Sequence, residues 1–315
     1  EGNVSDISNS NPITNATIEI LNPVLTIQTN SDLAGNYMTG IANSSSYNII
    51  FSAPGFVSDT INASFTNGNT TIVNAQLQPL QSINVTGMVV DVNGTGISGS
   101  DVLIYNSSNS YNIVTDINGN YSINGFYEGN YNVIAGSWGY ITSCSNEYIS
   151  STSSNQIVLQ SGYYDDFTFD FGWSVSGGVT STNEGIWQRG NPEGTDYYGA
   201  NFNPDDDVNN DCYEYAYVTG LPAGNQVGEN DVDDFNTILT SPIFDLSSPL
   251  NQDESYILNY KLWFNNDFPS WGGGSSNPND SLTVKITNGV FTTTLETLTS
   301  NSPNLGQWNS KSFNL

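Results

Sequence analysis

Two runs of carboxylates are the residues of this chain best suited to chemistry. One is Asp205-Asp-Asp-Val-Asn-Asn-Asp211, and the other is Glu229-Asn-Asp-Val-Asp-Asp234. Several carboxylates packed closely along a chain repel one another unless a cation neutralises them. Ca²⁺ suits such a set, because it takes six to eight oxygens, amide and backbone carbonyls included. The spacing does not match an EF-hand loop. From spacing alone two readings stay open: a solvated acidic loop, or a calcium site. Glycoside hydrolysis would need two carboxylates held across a cleft, and nothing in the pattern places such a pair. The Gly-x-Ser-x-Gly elbow, phosphate loops and zinc spacings are also missing. The sequence is therefore read as that of a non-enzyme.

Composition narrows the classes further. The 315 residues include 31 Asp and Glu against four Lys and Arg, a net charge of −27, and no histidine. That removes every His-based triad, ligand and general base. Four basic residues leave no phosphate-binding footprint, so nucleic acid is excluded as a partner. No apolar run is long enough to span a bilayer. The chain opens on a strand-like Glu-Gly-Asn-Val without a signal peptide, which is the expectation for a mature or trimmed product. An apolar share of 37% with 12% aromatics suffices for real cores.

The elements that must position these groups are strands. Runs such as Ala16-Thr-Ile-Glu-Ile20 and Val102-Leu-Ile-Tyr105 alternate with period two, and Asn, Gly, Asp and Ser clusters separate them. The first half repeats itself, with its markers in the same order and at a nearly constant shift. Gly2-Asn-Val-Ser-Asp6 returns as Gly87-Met-Val-Val-Asp91, and Asp32-Leu-Ala-Gly-Asn-Tyr37 as Asp116-Ile-Asn-Gly-Asn-Tyr121. Tyr47-Asn-Ile-Ile50 and Gly55-Phe56 return as Tyr131-Asn-Val-Ile134 and Gly139-Tyr140. In the Asp-x-x-Gly-x-Tyr element the Asp side chain should accept backbone amides just after it. Gly should take the left-handed position, and Tyr should start the next strand facing inward.

These three elements resemble the carboxypeptidase regulatory-like (transthyretin-like) domain. The resemblance covers both repeats and implies two small Greek-key, prealbumin-like β-sandwiches in tandem, at 1–80 and 81–161. It implies spacers and attachment modules rather than catalysts. Some related surface domains carry a Lys–Asn isopeptide bond, which residues 1–160 exclude because they contain no Lys.

The segment 162–315 opens on Tyr163-Tyr-Asp-Asp-Phe-Thr-Phe-Asp-Phe-Gly-Trp173 and continues through Gly185-Ile-Trp-Gln-Arg-Gly-Asn-Pro192, Leu239-Thr-Ser-Pro-Ile-Phe-Asp-Leu246 and Tyr256-Ile-Leu-Asn-Tyr-Lys-Leu-Trp-Phe264. That order resembles the choice-of-anchor J module, a jelly-roll β-sandwich related to MAM-type domains and found on secreted proteins of Bacteroidota. Asp234-Phe235 departs from the two glycines that the pattern puts there. Trp173, Trp187 and Trp263 read as core, and Trp271, in a Gly- and Ser-rich loop, reads as a candidate ligand surface. The chain is expected to stop inside this module, so that a longer natural protein or a second chain completes the sheet.

The resemblance implies structural Ca²⁺, placed first at Asp231, Asp233 and Asp234 with Asp280 joining from a later strand, and second at Asp205 and Asp207. Asp59-Thr60-Ile61 and Asp280-Ser281-Leu282 fit the triplet that Bacteroidota glycosylate, at Thr60 and Ser281. Cys144 and Cys212 either form one bridge, suited to an oxidising compartment, or stay as two buried thiols. The resulting expectation is a non-enzymatic extracellular, cell-surface protein: an adhesin, stalk or filament subunit whose partners are other copies of itself, other surface proteins or glycans. The alternatives are the accessory region of a secreted peptidase and a calcium-dependent carbohydrate-binding module.

Overall fold

The computed structural model describes residues 1–22, 26–178, 185–197, 200–221, 232, 235–247, 255–266 and 280–315. The fold is all-β, as the alternating patterns require, and the described residues contain no helix. Two compact units divide the chain. The first comprises residues 1–136 and 143–160, and the second residues 137–142 and 161–315.

The first repeat is a two-sheet sandwich within the first unit. One sheet orders Asn36–Tyr37, Gly2–Asp6, Ala75–Pro79 and Phe56–Val57; the other orders Ile27–Asn30, Thr17–Leu21, Ser45–Ser52 and Asp59–Phe65. Alternate residues of Thr17–Leu21 and Ser45–Ser52 point inward, so Ile18, Ile20, Ile49 and Phe51 meet Val4 and Leu77 of the opposite sheet in one core. Each such side chain contributes roughly 1.5–3 kcal/mol by leaving water. The second repeat copies this plan. Ser110–Val114, Asp101–Tyr105, Gly129–Gly136 and Ser143–Ile149 form one sheet, and Asn120–Tyr127, Ser82–Asp91 and Asn155–Leu159 the other.

The Asp-x-x-Gly-x-Tyr element folds as its residue types demand. Asp32 Oδ1 accepts the amides of Ala34 and Asn36 at 2.9 and 2.8 Å, and Asp116 Oδ1 those of Asn118 and Asn120, each at 2.8 Å. Gly35 and Gly119 hold φ of +75° and +81°, in the region that favours glycine. The tyrosines then run inward and are buried. Asp91 builds a third turn of this kind, accepting Asn93 and Thr95 at 2.8 Å each.

The tyrosine has a second partner that the turn does not reveal. Its ring crosses the first strand of its repeat at the opening glycine, Gly2 or Gly87. A β-carbon on either glycine would collide with that ring and with a carbonyl on the far strand. The hydroxyl donates to the same carbonyl: Tyr37 to Val73 O at 2.7 Å, and Tyr121 to Asn155 O at 3.1 Å. Burial raises both phenol pKa values to about 12, so both hydroxyls stay protonated as donors at neutral pH.

The second unit is built from antiparallel pairs. Ser174–Gly177 pairs with Thr237–Thr240, Trp187–Gly190 with Ala216–Thr219, and Asp196–Tyr197 with Ala200–Asn201. Ile257–Leu262 pairs with Asn309–Asn314, and Leu282–Thr287 with Thr292–Leu298. Glu296 ties the last two pairs together, accepting the Tyr260 hydroxyl and the Lys311 ammonium at 2.6 Å each. The tryptophans read as core fare differently. Trp173, Trp187 and Trp263 are only partly buried; the Trp173 indole finds an acceptor in Asp165 at 2.7 Å, whereas the Trp263 indole nitrogen is buried without a partner among the described residues.

The crossing predicts a sharp asymmetry between glycines. Gly87→Ala should cost about 1–3 kcal/mol or more through overpacking against Tyr121 and Asn155. Gly40→Ala, where an added methyl meets nothing within 4 Å, should stay within about 0.5 kcal/mol of the parent. Urea unfolding of the two variants checks this.

Candidate functional site

The carboxylates that gather in the second unit come from two stretches well separated along the chain. Asp165 and Asp166 lie in the opening aromatic segment, and Asp207 and Asp211 in the acidic run. Asp166 is 5% exposed. It accepts the Thr168 amide at 3.1 Å and the Cys212 amide at 3.2 Å, one on each oxygen, so it pins the acidic run to the opening segment. Asp165 accepts the Phe167 amide at 2.8 Å and the Trp173 indole at 2.7 Å. Burial raises its pKa, and those two donors oppose the rise.

Directly after the two aspartates, Phe167 takes φ +61°, a conformation a bulky side chain seldom adopts. The surroundings hold it there. Its amide goes to Asp165, its carbonyl accepts Arg189 Nη1 at 2.8 Å, and its ring packs edge-on against Trp173 and Tyr217 at 5.4 and 5.1 Å. Arg189 also donates to Thr168 O at 3.1 Å and lies 5.2 Å from the centre of the Tyr215 ring. The one arginine of the chain thus serves carbonyls and a ring.

Asp207 and Asp211 lie near enough to influence each other's ionisation, and the charge of Asp166 acts on both. Desolvation raises both, and for Asp211 the charge of Asp207 adds to it, lifting its pKa to about 7. Asp211 therefore holds its proton well above the usual carboxylate range.

Against this geometry the predicted ligands separate. Asp205 is exposed, and its Oδ1 accepts the Gly194 amide at 3.0 Å, while Asp207 is partly buried near Asp211. Among the described residues no three His, Cys, Asp or Glu side chains are grouped to hold a metal ion. The carboxylates are right in kind for calcium, but the Asp205–Asp207 stretch does not arrange them as a cage. Asp231, Asp233, Asp234 and Trp271 lie outside the described residues. Asp280 is exposed, and its backbone carbonyl accepts Asn266 at 2.8 Å. Thr60 and Ser281 are both exposed. Both cysteines are disulfide-bonded. Sequence reasoning had Asp211 in the acidic run but missed that Asp165 and Asp166 join it. The Tyr-Tyr-Asp-Asp motif contained these two, but their partners lie too far along the chain for spacing to show.

Comparisons with known proteins cover part of the chain. Residues 1–78 match the family described as carboxypeptidase regulatory-like domain. No curated protein matches the chain. Solved structures with some likeness include a Streptococcal ancillary pilin, 13% identical with a TM-score of 0.36, covering 51% of this chain and 61% of that one. The minor pilin of Streptococcus agalactiae is 11% identical with a TM-score of 0.32, covering 50% of this chain and 87% of its own. The shaft pilin spaA of Lactobacillus rhamnosus GG is 11% identical with a TM-score of 0.26, covering 52% and 96%.

The proton held by Asp211 sets a pH dependence. An ordinary Asp titrates near 4, whereas folded Asp211 titrates at about 7. The folded state therefore binds this proton more tightly. Stability falls as pH rises from about 4 to about 7, and stays at the lower level above that. Asp211→Asn should flatten this slope in thermal unfolding, and Asp206→Asn, at an exposed neighbouring position, should leave it in place.

Proposed function

We propose that the chain is a non-enzymatic, extracellular spacer of a cell-surface protein, serving as stalk, adhesin or filament subunit. The observation that carries this reading is the direction of the terminal strands. In each repeat the first and last strands are neighbours and parallel: Gly2–Asp6 beside Ala75–Pro79, and Ser82–Asp91 beside Asn155–Leu159. The chain thus enters each sandwich at one end and leaves at the other. A strand as long as Ser82–Asp91 advances it by about 33 Å. Modules of this kind space whatever they connect.

Other features support the setting. The modules read as 1–80, 81–161 and a choice-of-anchor J jelly roll at 162–315, in a protein of Bacteroidota type. Bonded cysteines suit an oxidising compartment. Thr60 and Ser281 are accessible for glycosylation. No described helix is long and apolar enough to cross a membrane. Calcium belongs to this reading through Asp231, Asp233, Asp234 and Asp280, and the partners through other copies of the chain or other surface proteins.

Sedimentation across a concentration series, with Ca²⁺ and with chelator, tests the reading. The expected result is reversible growth beyond the monomer, with a higher melting temperature in Ca²⁺. A chain that stays monomeric at every concentration removes the filament role, and an unchanged melting temperature removes the calcium.

A further inference from the structure

The same strand direction has a mechanical consequence. We propose that the first repeat is a shear clamp, a module whose terminal strands resist tension applied along the chain. This goes beyond the spacer reading, since a spacer need not bear load.

The chain enters at one end of Gly2–Asp6 and leaves at the opposite end of Ala75–Pro79. Tension therefore slides the two strands past each other. Sliding loads all their cross-links at once, whereas forces on the same end of both strands would open them one at a time. The cross-links run the length of the pair. Val73 N donates to Glu1 O at 2.9 Å, and Asn3 N to Asn74 Oδ1 at 2.9 Å. Val4, Ser5 and Asp6 are then in register with Ala75, Gln76 and Leu77, and Ile7 N donates to Leu77 O at 3.0 Å. Parallel bonds are evenly spaced, so the load is shared evenly.

Two further features reinforce the pair. Tyr37 belongs to the strand on the outer side of Gly2–Asp6, crosses it at Gly2, and bonds Val73 O just before the last strand begins. It pins three strands with one side chain. The last strand is also held on its other flank, where Phe56 and Val57 face Pro79 and Gln78 and Leu80 N donates to Gly55 O at 2.8 Å. The clamp needs no metal and no ion pair, as befits a stretch without a single Lys or Arg before Arg189.

Single-molecule stretching of the full chain tests the proposal, with one handle at Leu315 and the other at Glu1 or at an Asn11→Cys handle. Asn11 is exposed and lies past the far end of the first strand, so the second arrangement peels the pair open. The event belonging to the first repeat releases roughly 27 nm less the span of the folded repeat when pulled from Glu1, at about 3.5 Å for each residue of Gly2–Pro79. Its unfolding force is expected to be severalfold higher from Glu1 than from Asn11, since all the cross-links share the load in one case and fail singly in the other. Equal forces overturn the clamp. Tyr37→Phe gives a reading independent of the added handle. It should lower the force from Glu1 and leave the force from Asn11 nearly unchanged, and an equal fall in both overturns the pin. Self-association plays no part in either measurement, so a monomeric chain can still carry the clamp.

Discussion

A tyrosine ring laid across a glycine closes each repeat, and much else in the first unit depends on it. The ring can cross only where no β-carbon stands, and its hydroxyl reaches a carbonyl two strands away. That single contact joins the strand after the turn, the first strand and the approach to the last strand. The aspartate turn before it aims the ring, because two amides on one carboxylate oxygen leave the backbone one path into the next strand. Turn, glycine and carbonyl are three parts of one joint, made once in each repeat. The far carbonyl is supplied by Val73 in one repeat and Asn155 in the other, so the joint depends on backbone position there and not on side-chain type.

The charge of the chain is handled differently in its two units. Residues 1–160 have carboxylates but no Lys or Arg to pair with them. There the structural aspartates are held in their charged form by N–H and O–H donors. The pKa of Asp6 is lowered chiefly by the Ser8 hydroxyl, that of Asp91 by the Thr95 amide, and that of Asp116 by the Asn120 amide. Such turns keep their contribution above the ordinary carboxylate pKa and lose it as pH falls through the lowered one. In the second unit the carboxylates of Asp207 and Asp211 lie near each other, and burial together with repulsion pushes their pKa values up. The one ion pair among the described residues, Lys311 with Glu296, sits where two strand pairs meet and a tyrosine hydroxyl completes the acceptor's partners. That site gains from geometry and shielding what an exposed pair loses to solvent.

What the sequence made legible was local. The Asp-x-x-Gly-x-Tyr turn could be read because its donors and acceptors are near neighbours in the chain, and the repeat because its markers recur in order. The period-two run Ala16-Thr-Ile-Glu-Ile20 appears largely within the strand Thr17–Leu21, with alternating burial. The opening glycines were noticed only as a motif. Their purpose depends on where a tyrosine much further along the chain lands, which no spacing rule contains. Spacing left the acidic run open between a solvated loop and a calcium site, and it could not show that Asp205 accepts the Gly194 amide while burial raises Asp207 and Asp211, because tertiary contacts and not adjacency decide which carboxylates are buried. Trp173 was read as core from its size, but its indole N–H needs Asp165 and stays near the surface.

Strand direction was the feature furthest from the sequence, and it matters most for function. Inward-outward alternation is identical for parallel and antiparallel neighbours, so the residues of Ala75–Pro79 do not announce which way they run beside Gly2–Asp6. Had these terminal strands been antiparallel, the chain would leave each sandwich at the end where it entered. The module would then hang from the chain as a side lobe, adding neither length nor resistance to tension. Parallel pairing places the sandwich in line with the chain, and the long connections of the Greek-key path are what allow the last strand to return in that direction. The polar, cation-free surface could clothe either arrangement. It is the path of the backbone that sets the entry and exit of each repeat at opposite ends of its sandwich.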